Sequence, residues 1–140
     1  MTQTFTVPLY LRVGVKKPKN VWVNLNNYRN WHSHQNNDYK IKFKQVIDHE
    51  MSQLKKTKGL VDVRIRIWYP DLIDRDLDNN MSIITKFTLD TLVDYGILKD
   101  DNINYIRSIH GSFDGFSLEN PRAEVTLNSV RGESTQKWKE

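Results

Sequence analysis

The sequence predicts an α+β domain: one mixed sheet with two main helices packed on it, in the order βαβαββ. Three patterns carry that expectation. Residues 60–69 alternate strictly, with Val61, Val63, Ile65, Ile67 and Tyr69 on one face and Asp62, Arg64, Arg66 and Trp68 on the other. Two stretches, 38–56 and 80–95, space their apolar residues by three and four, as a helix lying on a sheet requires. Two later stretches, 103–113 and 122–127, have strand composition and flank a turn rich in Gly, Asp, Asn and Pro.

Taken in order, Phe5, Val7, Leu9, Leu11 and Val13 alternate and predict a first strand over residues 4–15, with Pro8 placing it at an edge or bulge. Residues 16–37 mix Lys, Arg, Asn and aromatics and read as a loop. Asn37 or Asp38 then caps the first helix, whose stripe runs through Tyr39, Phe43, Val46, Ile47, Met51 and Leu54 before Gly59 ends it. Pro70 stops the central strand. Gly96 closes the second helix. Residues 129–140 are polar and read as a frayed tail on a single domain spanning 1–140.

Composition narrows the function classes. Cys is absent, which excludes disulfides and thiolate metal sites. No apolar run approaches the roughly 18 residues of a membrane span. The first residues, MTQTFTVPLYLRV, lack the basic head and apolar centre of a signal peptide, so a cytoplasmic location is expected. The net charge of +4 tilts toward a polyanionic partner.

Residues 75–105, RDLDNNMSIITKFTLDTLVDYGILKDDNINY, hold the chemistry. Asp76 and Asp78 precede a helix-like run, and a second acidic pair, Asp100 and Asp101, follows it. Mg²⁺ prefers a few carboxylates completed by water and phosphate oxygens. Asp74, Asp76 and Asp78 fit the opening of a calcium EF-hand loop, but Asn79 stands where that loop needs Gly and Thr85 where it needs Glu. One acid would suffice to cap a helix; three acids in five residues repel one another unless a cation sits among them. A helix of about 15 residues separates its ends by about 22 Å. Asp101 therefore returns to the 70–78 loop only if residues 98–104 lead into a strand beside 60–69. Ser82, Lys86, Asp90 and Asp94 share one side of that helix. Lys86 is either a cation near a scissile phosphate or a routine i,i+4 partner of Asp90.

RDLDN, then K-F-x-L-D-x-L, then G-I-L-x-D-D, resembles the RusA family of Holliday-junction resolvases, which are common in bacteriophages and prophages. The resemblance is concentrated in residues 75–105 and extends more weakly over most of the chain. It implies a homodimeric, Mg²⁺-dependent endonuclease, with Mn²⁺ able to substitute, that cuts four-way DNA junctions by paired nicks in a bacterial cytoplasm. The family's essential acids fall on Asp76, Asp78 and Asp101, and its essential lysine on Lys86. The segment between Asp78 and Asp90 is roughly one helical turn longer than the shorter family pattern. Counted forward from Asp78, Ser82 takes the lysine's place; counted back from Asp90, Lys86 does.

Lys16, Lys17, Lys19, Arg29, Lys40, Lys42, Lys44, Arg64 and Arg66 are the candidate DNA contacts, with Trp22, Tyr28 and Trp31 as stacking groups between them. His32 and His34 form an H-x-H pair better suited to a polar DNA-facing loop than to a transition metal. Three other functions compete: a nuclease for flaps or other branched DNA, a catalytically silent junction binder, and an acidic scaffold without nucleic acid.

Overall fold

The central strand takes the place the alternation gives it. In the computed structural model, which describes residues 1–130, it is β4 (Val61–Tyr69), flanked by β6 (Arg122–Ser129) and β5 (Ile106–Phe116). β1 (Thr2–Val7) completes a four-stranded sheet of order β1-β6-β4-β5. β1 and β6 pair antiparallel, as do β6 and β4, whereas β4 and β5 are parallel. The sheet is mixed and the fold is α+β, as the sequence predicts.

Val61, Val63, Ile65 and Ile67 are fully buried and meet Phe5, Val7, Ala123, Val125 and Leu127 on one face. That face is covered by α2 (Ser33–Val46) and α4 (Leu77–Asp94), which pack on each other through Phe43 and Phe87. The opposite face is open and carries Arg64, Arg66, Trp68 and Arg122. Parallel strands cannot be joined by a hairpin, and α4 is the crossover from β4 to β5.

Several boundaries differ from expectation. The first strand is two: after β1, Pro8 ends the ladder and the chain leaves for a separate hairpin of β2 (Tyr10–Val13) and β3 (Lys19–Trp22). Residues 16–37 are not a loop. They hold β3, α1 (Leu25–Asn30) and the start of α2. Asn24 caps α1 by accepting the Asn27 N–H at 2.8 Å. α2 begins at the N-cap His32 instead of Asn37 or Asp38, with the Gln35 side chain accepting the His32 N–H at 3.2 Å. It stops at Ile47, and α3 (Asp48–Ser52) follows. α4 starts three residues earlier than expected. The tail expected from residue 129 has its first residue in β6 and residue 130 described; residues 131–140 lie outside the described residues.

Candidate active site

The loop from β4 to α4 is held by packing and by hydrogen bonds. Arg75 forks onto Asp71 (2.6 and 3.2 Å) and lies over the rings of Trp22 (4.5 Å) and Tyr69 (5.2 Å). The Arg75 guanidinium keeps the Asp71 carboxyl below its ordinary range. Asn80, 2% exposed, accepts the Tyr69 hydroxyl at 3.0 Å and donates to the Val23 carbonyl at 3.4 Å. Burial pushes the Tyr69 phenol up. Asn79 accepts the Asn26 N–H at 3.1 Å. The first turn of α4 is thereby tied both to the end of β4 and to the β3–α1 connection.

Asp76 is the N-cap of α4, yet its carboxylate makes no capping hydrogen bond. Asp78 stands in the first turn, and both are exposed. Among the described residues neither carboxylate has a hydrogen-bond or ion-pair partner to neutralise it. They sit at the positive end of the helix dipole. Asp74, Asp76, Asn26 and Asn79 share a cleft of 400 Å³ with Trp22 and Arg75. Exposed carboxylate oxygens without cationic partners suit a hard divalent ion, which needs only one or two carboxylates besides water and phosphate.

The expectation for Asp101 is half met. Residues 98–104 do lead into a strand beside β4, but that strand is parallel, with Val61 opposite Ile106 and Tyr69 opposite Phe116. The acid loop leaves the far end of β4, while Asp101 precedes the near end of β5. α4 spans the distance between them, about 27 Å for 18 residues at about 1.5 Å each. Asp100 and Asp101 line a second groove, of 540 Å³, with Lys40, Lys44, Lys86 and Asp90. Among the described residues no three acids or histidines stand close enough to share a metal, so His32 and His34 are not joined by other ligands either.

Lys86 belongs to this second groove. Because α4 starts early, Lys86 lies about 12 Å along the axis from Asp78, and Ser82 is the residue one turn from it. Asp90 is held chiefly by Lys40 at 3.1 Å, with Lys86 at 3.9 Å. Asp94 takes Lys44 at 3.4 Å.

The basic residues fall in three places. Lys16, Lys17 and Lys19 are exposed on the β2–β3 hairpin; Arg29, Lys40, Lys42 and Lys44 lie on α1 and α2; Arg64 and Arg66 lie on the open face of the sheet. Arg66 is paired with Asp114 at 2.7 Å and lies over Trp68. The aromatic group does not stack outward. Trp31 packs on Tyr39 and Phe87, Tyr28 on Phe87, and Trp22 on Tyr10 and Tyr69, because these rings fill the space between the short helices and α4. Asn80, Asn79, Asn26 and Arg75 were not singled out by sequence reasoning. Their signal was the run of asparagines on both sides of the contact, NLNNY and DLDNN.

The sequence matches the family described as Endodeoxyribonuclease RusA over residues 13–128. The chain belongs to the RusA family. The match takes in β3, α1 to α4, β4, β5 and all but the last residue of β6, so it covers both acidic sites. RusA proteins are endodeoxyribonucleases, so membership makes this chain an enzyme of the DNA-cutting kind. A search of curated proteins finds no match. No helix among the described residues is long and apolar enough to cross a membrane.

Proposed function

We propose that this RusA protein is a divalent-metal-dependent endonuclease that opens four-way DNA junctions by paired nicks and works as a homodimer. The observation that carries this reading is the pair of exposed, uncompensated carboxylates, Asp76 and Asp78, at the start of α4 in a chain of this family. They hold Mg²⁺, or Mn²⁺ in its place. The bound ion supplies Lewis-acid polarisation of the phosphodiester and activation of water. Asn79, Asn80 and Arg75 keep the two carboxylates in position.

Asp101 is the third acid. It stands at the opposite end of α4 from Asp76 in the same chain, which supports a site completed by the Asp101 of a second copy. Lys86 shares the groove of Asp101 and is only loosely engaged by Asp90, so its ammonium is available to offset charge on the reacting phosphate. Paired nicks in a two-fold junction match a two-fold protein with two such sites. The exposed lysines of the hairpin and α2, with Arg29 and Arg64, track the DNA backbone.

The test compares four-way, flap and linear DNA with Mg²⁺, with Mn²⁺ and with chelator. The reading expects paired nicks in the four-way substrate alone, only with metal. Equal cutting of flaps would remove the junction preference, and no cutting of any substrate would remove the nuclease reading. Calorimetric titration of Mn²⁺ into the protein gives a readout apart from activity: heat of binding that Asp78→Asn loses.

A further inference from the structure

The β2–β3 hairpin forms a two-stranded sheet of its own, apart from the main sheet. Its base is fixed. Leu9, Leu11 and Val23 are buried, the Val23 N–H donates to the Leu9 carbonyl at 2.9 Å, and Tyr10 packs on Trp22 with ring centres 5.1 Å apart. Trp22 also lies under the Arg75 guanidinium and walls the cleft that holds Asp74 and Asp76. The hairpin therefore grows out of the packing that sets the acid loop.

Its far end is bare. Residues 14–20 are all exposed, and Val15 is 98% exposed. The turn is stiff. Gly14 has φ +96°, a Cβ there would fall 2.9 Å from the Lys17 carbonyl oxygen, and Pro18 has its φ fixed by its ring. At about 3.3 Å per residue, β3 sets the turn about 10 Å beyond Trp22. The end is also basic. The first acid in the chain is Asp38, so Lys16, Lys17 and Lys19 have no carboxylate near them in sequence. Among the described residues none of the three is in an ion pair.

Such an end suits a particular partner chemistry. Lysines without carboxylates take phosphates. Reading base edges in a groove needs a free Arg, Asn or Gln. Arg12 donates to Asn20 Oδ1 at 3.1 Å, and the rest of the bare end is Gly, Val, Lys and Pro. An apolar side chain set among phosphate-binding lysines finds its apolar contact on the face of a base. Base faces are uncovered where stacking is interrupted, and in branched DNA that place is the branch point.

We propose that the β2–β3 hairpin is an arm that enters the branch point of a DNA junction. Val15 meets the face of an unstacked base, and Lys16, Lys17 and Lys19 hold phosphates of the strands that diverge there. The proposal rests on the reading of this chain as a junction endonuclease and gives that reading a source of branch preference, since a linear duplex offers no open base face. Trp22 couples the arm to the acid loop, so the branch is held close to the carboxylates.

The test uses the full chain in chelator, so that no strand is cut, on four-way DNA with 2-aminopurine at the branch point and on linear duplex. Wild-type protein is expected to raise the fluorescence of the four-way substrate as the base unstacks. Val15→Ser should lose at least about half of that rise while gel-shift affinity stays within about threefold. Lys16→Ala, Lys17→Ala and Lys19→Ala combined should weaken four-way binding at least about tenfold and lower its salt slope by about 3, with a smaller loss on linear duplex. All four positions are exposed, and circular dichroism should match wild type. No fluorescence change on wild-type binding, an undiminished rise in Val15→Ser, or equal losses on four-way and linear DNA in the lysine variant would each overturn the proposal. A wild type that gives these signals in chelator yet cuts no DNA with Mg²⁺ would instead sink the nuclease reading and leave the arm standing.

Discussion

Asn80 shows how one buried polar side chain fixes a functional loop. It is satisfied on both sides, by the Tyr69 hydroxyl and the Val23 carbonyl, and it anchors the turn that presents Asp76 and Asp78. Asn80→Leu leaves both partners buried without a bond, a cost of about 1–3 kcal/mol; urea unfolding is expected to show a midpoint shifted down by that amount. The exposed acids behave in the opposite way. Asp76→Asn or Asp78→Asn is expected to leave the unfolding midpoint within about 0.5 kcal/mol of wild type while cleavage falls by at least about a hundredfold. Junction binding, measured by gel shift at fixed salt, should hold or tighten as repulsion with phosphate falls. Lys86 and Ser82 divide the two registers of the longer helix. Lys86→Ala should lower the single-turnover rate by about a hundredfold if its charge acts on the transition state, with Ser82→Ala near wild type. The reverse ranking would put the functional position one turn nearer Asp78.

At the scale of elements, α4 carries both the core and the chemistry. Phe87, 1% exposed, is touched by the rings of Tyr28, Trp31 and Phe43, so Phe87→Ala is expected to cost about 3–5 kcal/mol by chemical denaturation. The strong periodicities were legible. β4 was read to within one residue, and the acids were read as one group on either side of α4. What was not legible has a physical cause in each instance. The polar stretch before residue 38 hides β3 and α1 because its aromatics are separated by asparagines, and their burial depends on contacts with α4 that no local pattern encodes. The same packing turns Trp22, Tyr28 and Trp31, each half-buried, against neighbouring rings. The pairing of β5 with β4 follows from residues 98–104 leading into a strand, but no local pattern sets its direction. A helical crossover imposes parallel strands, and parallel strands send Asp101 to the far end of the sheet.

On the scale of the whole molecule, the open face of the sheet makes stability depend on acid pH. Arg107, with Ser108, holds the Asp62 carboxyl below its ordinary 3.8, and Ser112, with Arg66, does the same for Asp114. Carboxyls depressed in the folded state contribute stability above their ordinary value and lose it as pH falls through the folded one. Thermal melting should therefore fall as pH drops from about 4 downward, through the depressed folded values, and Asp62→Asn should flatten that limb. The larger claim is that neither acidic site of one chain suffices. It is tested by pairing Asp76→Asn with Asp101→Asn in one dimer, isolated through two different affinity tags. Each variant alone should be inactive on four-way DNA. If the sites form between copies, the mixed dimer holds one complete site, with Asp76 and Asp78 from one chain and Asp101 from the other, and should nick the junction once with Mg²⁺. A mixed dimer as inactive as its parents would contradict the account, because it would place all three acids of a site in a single chain.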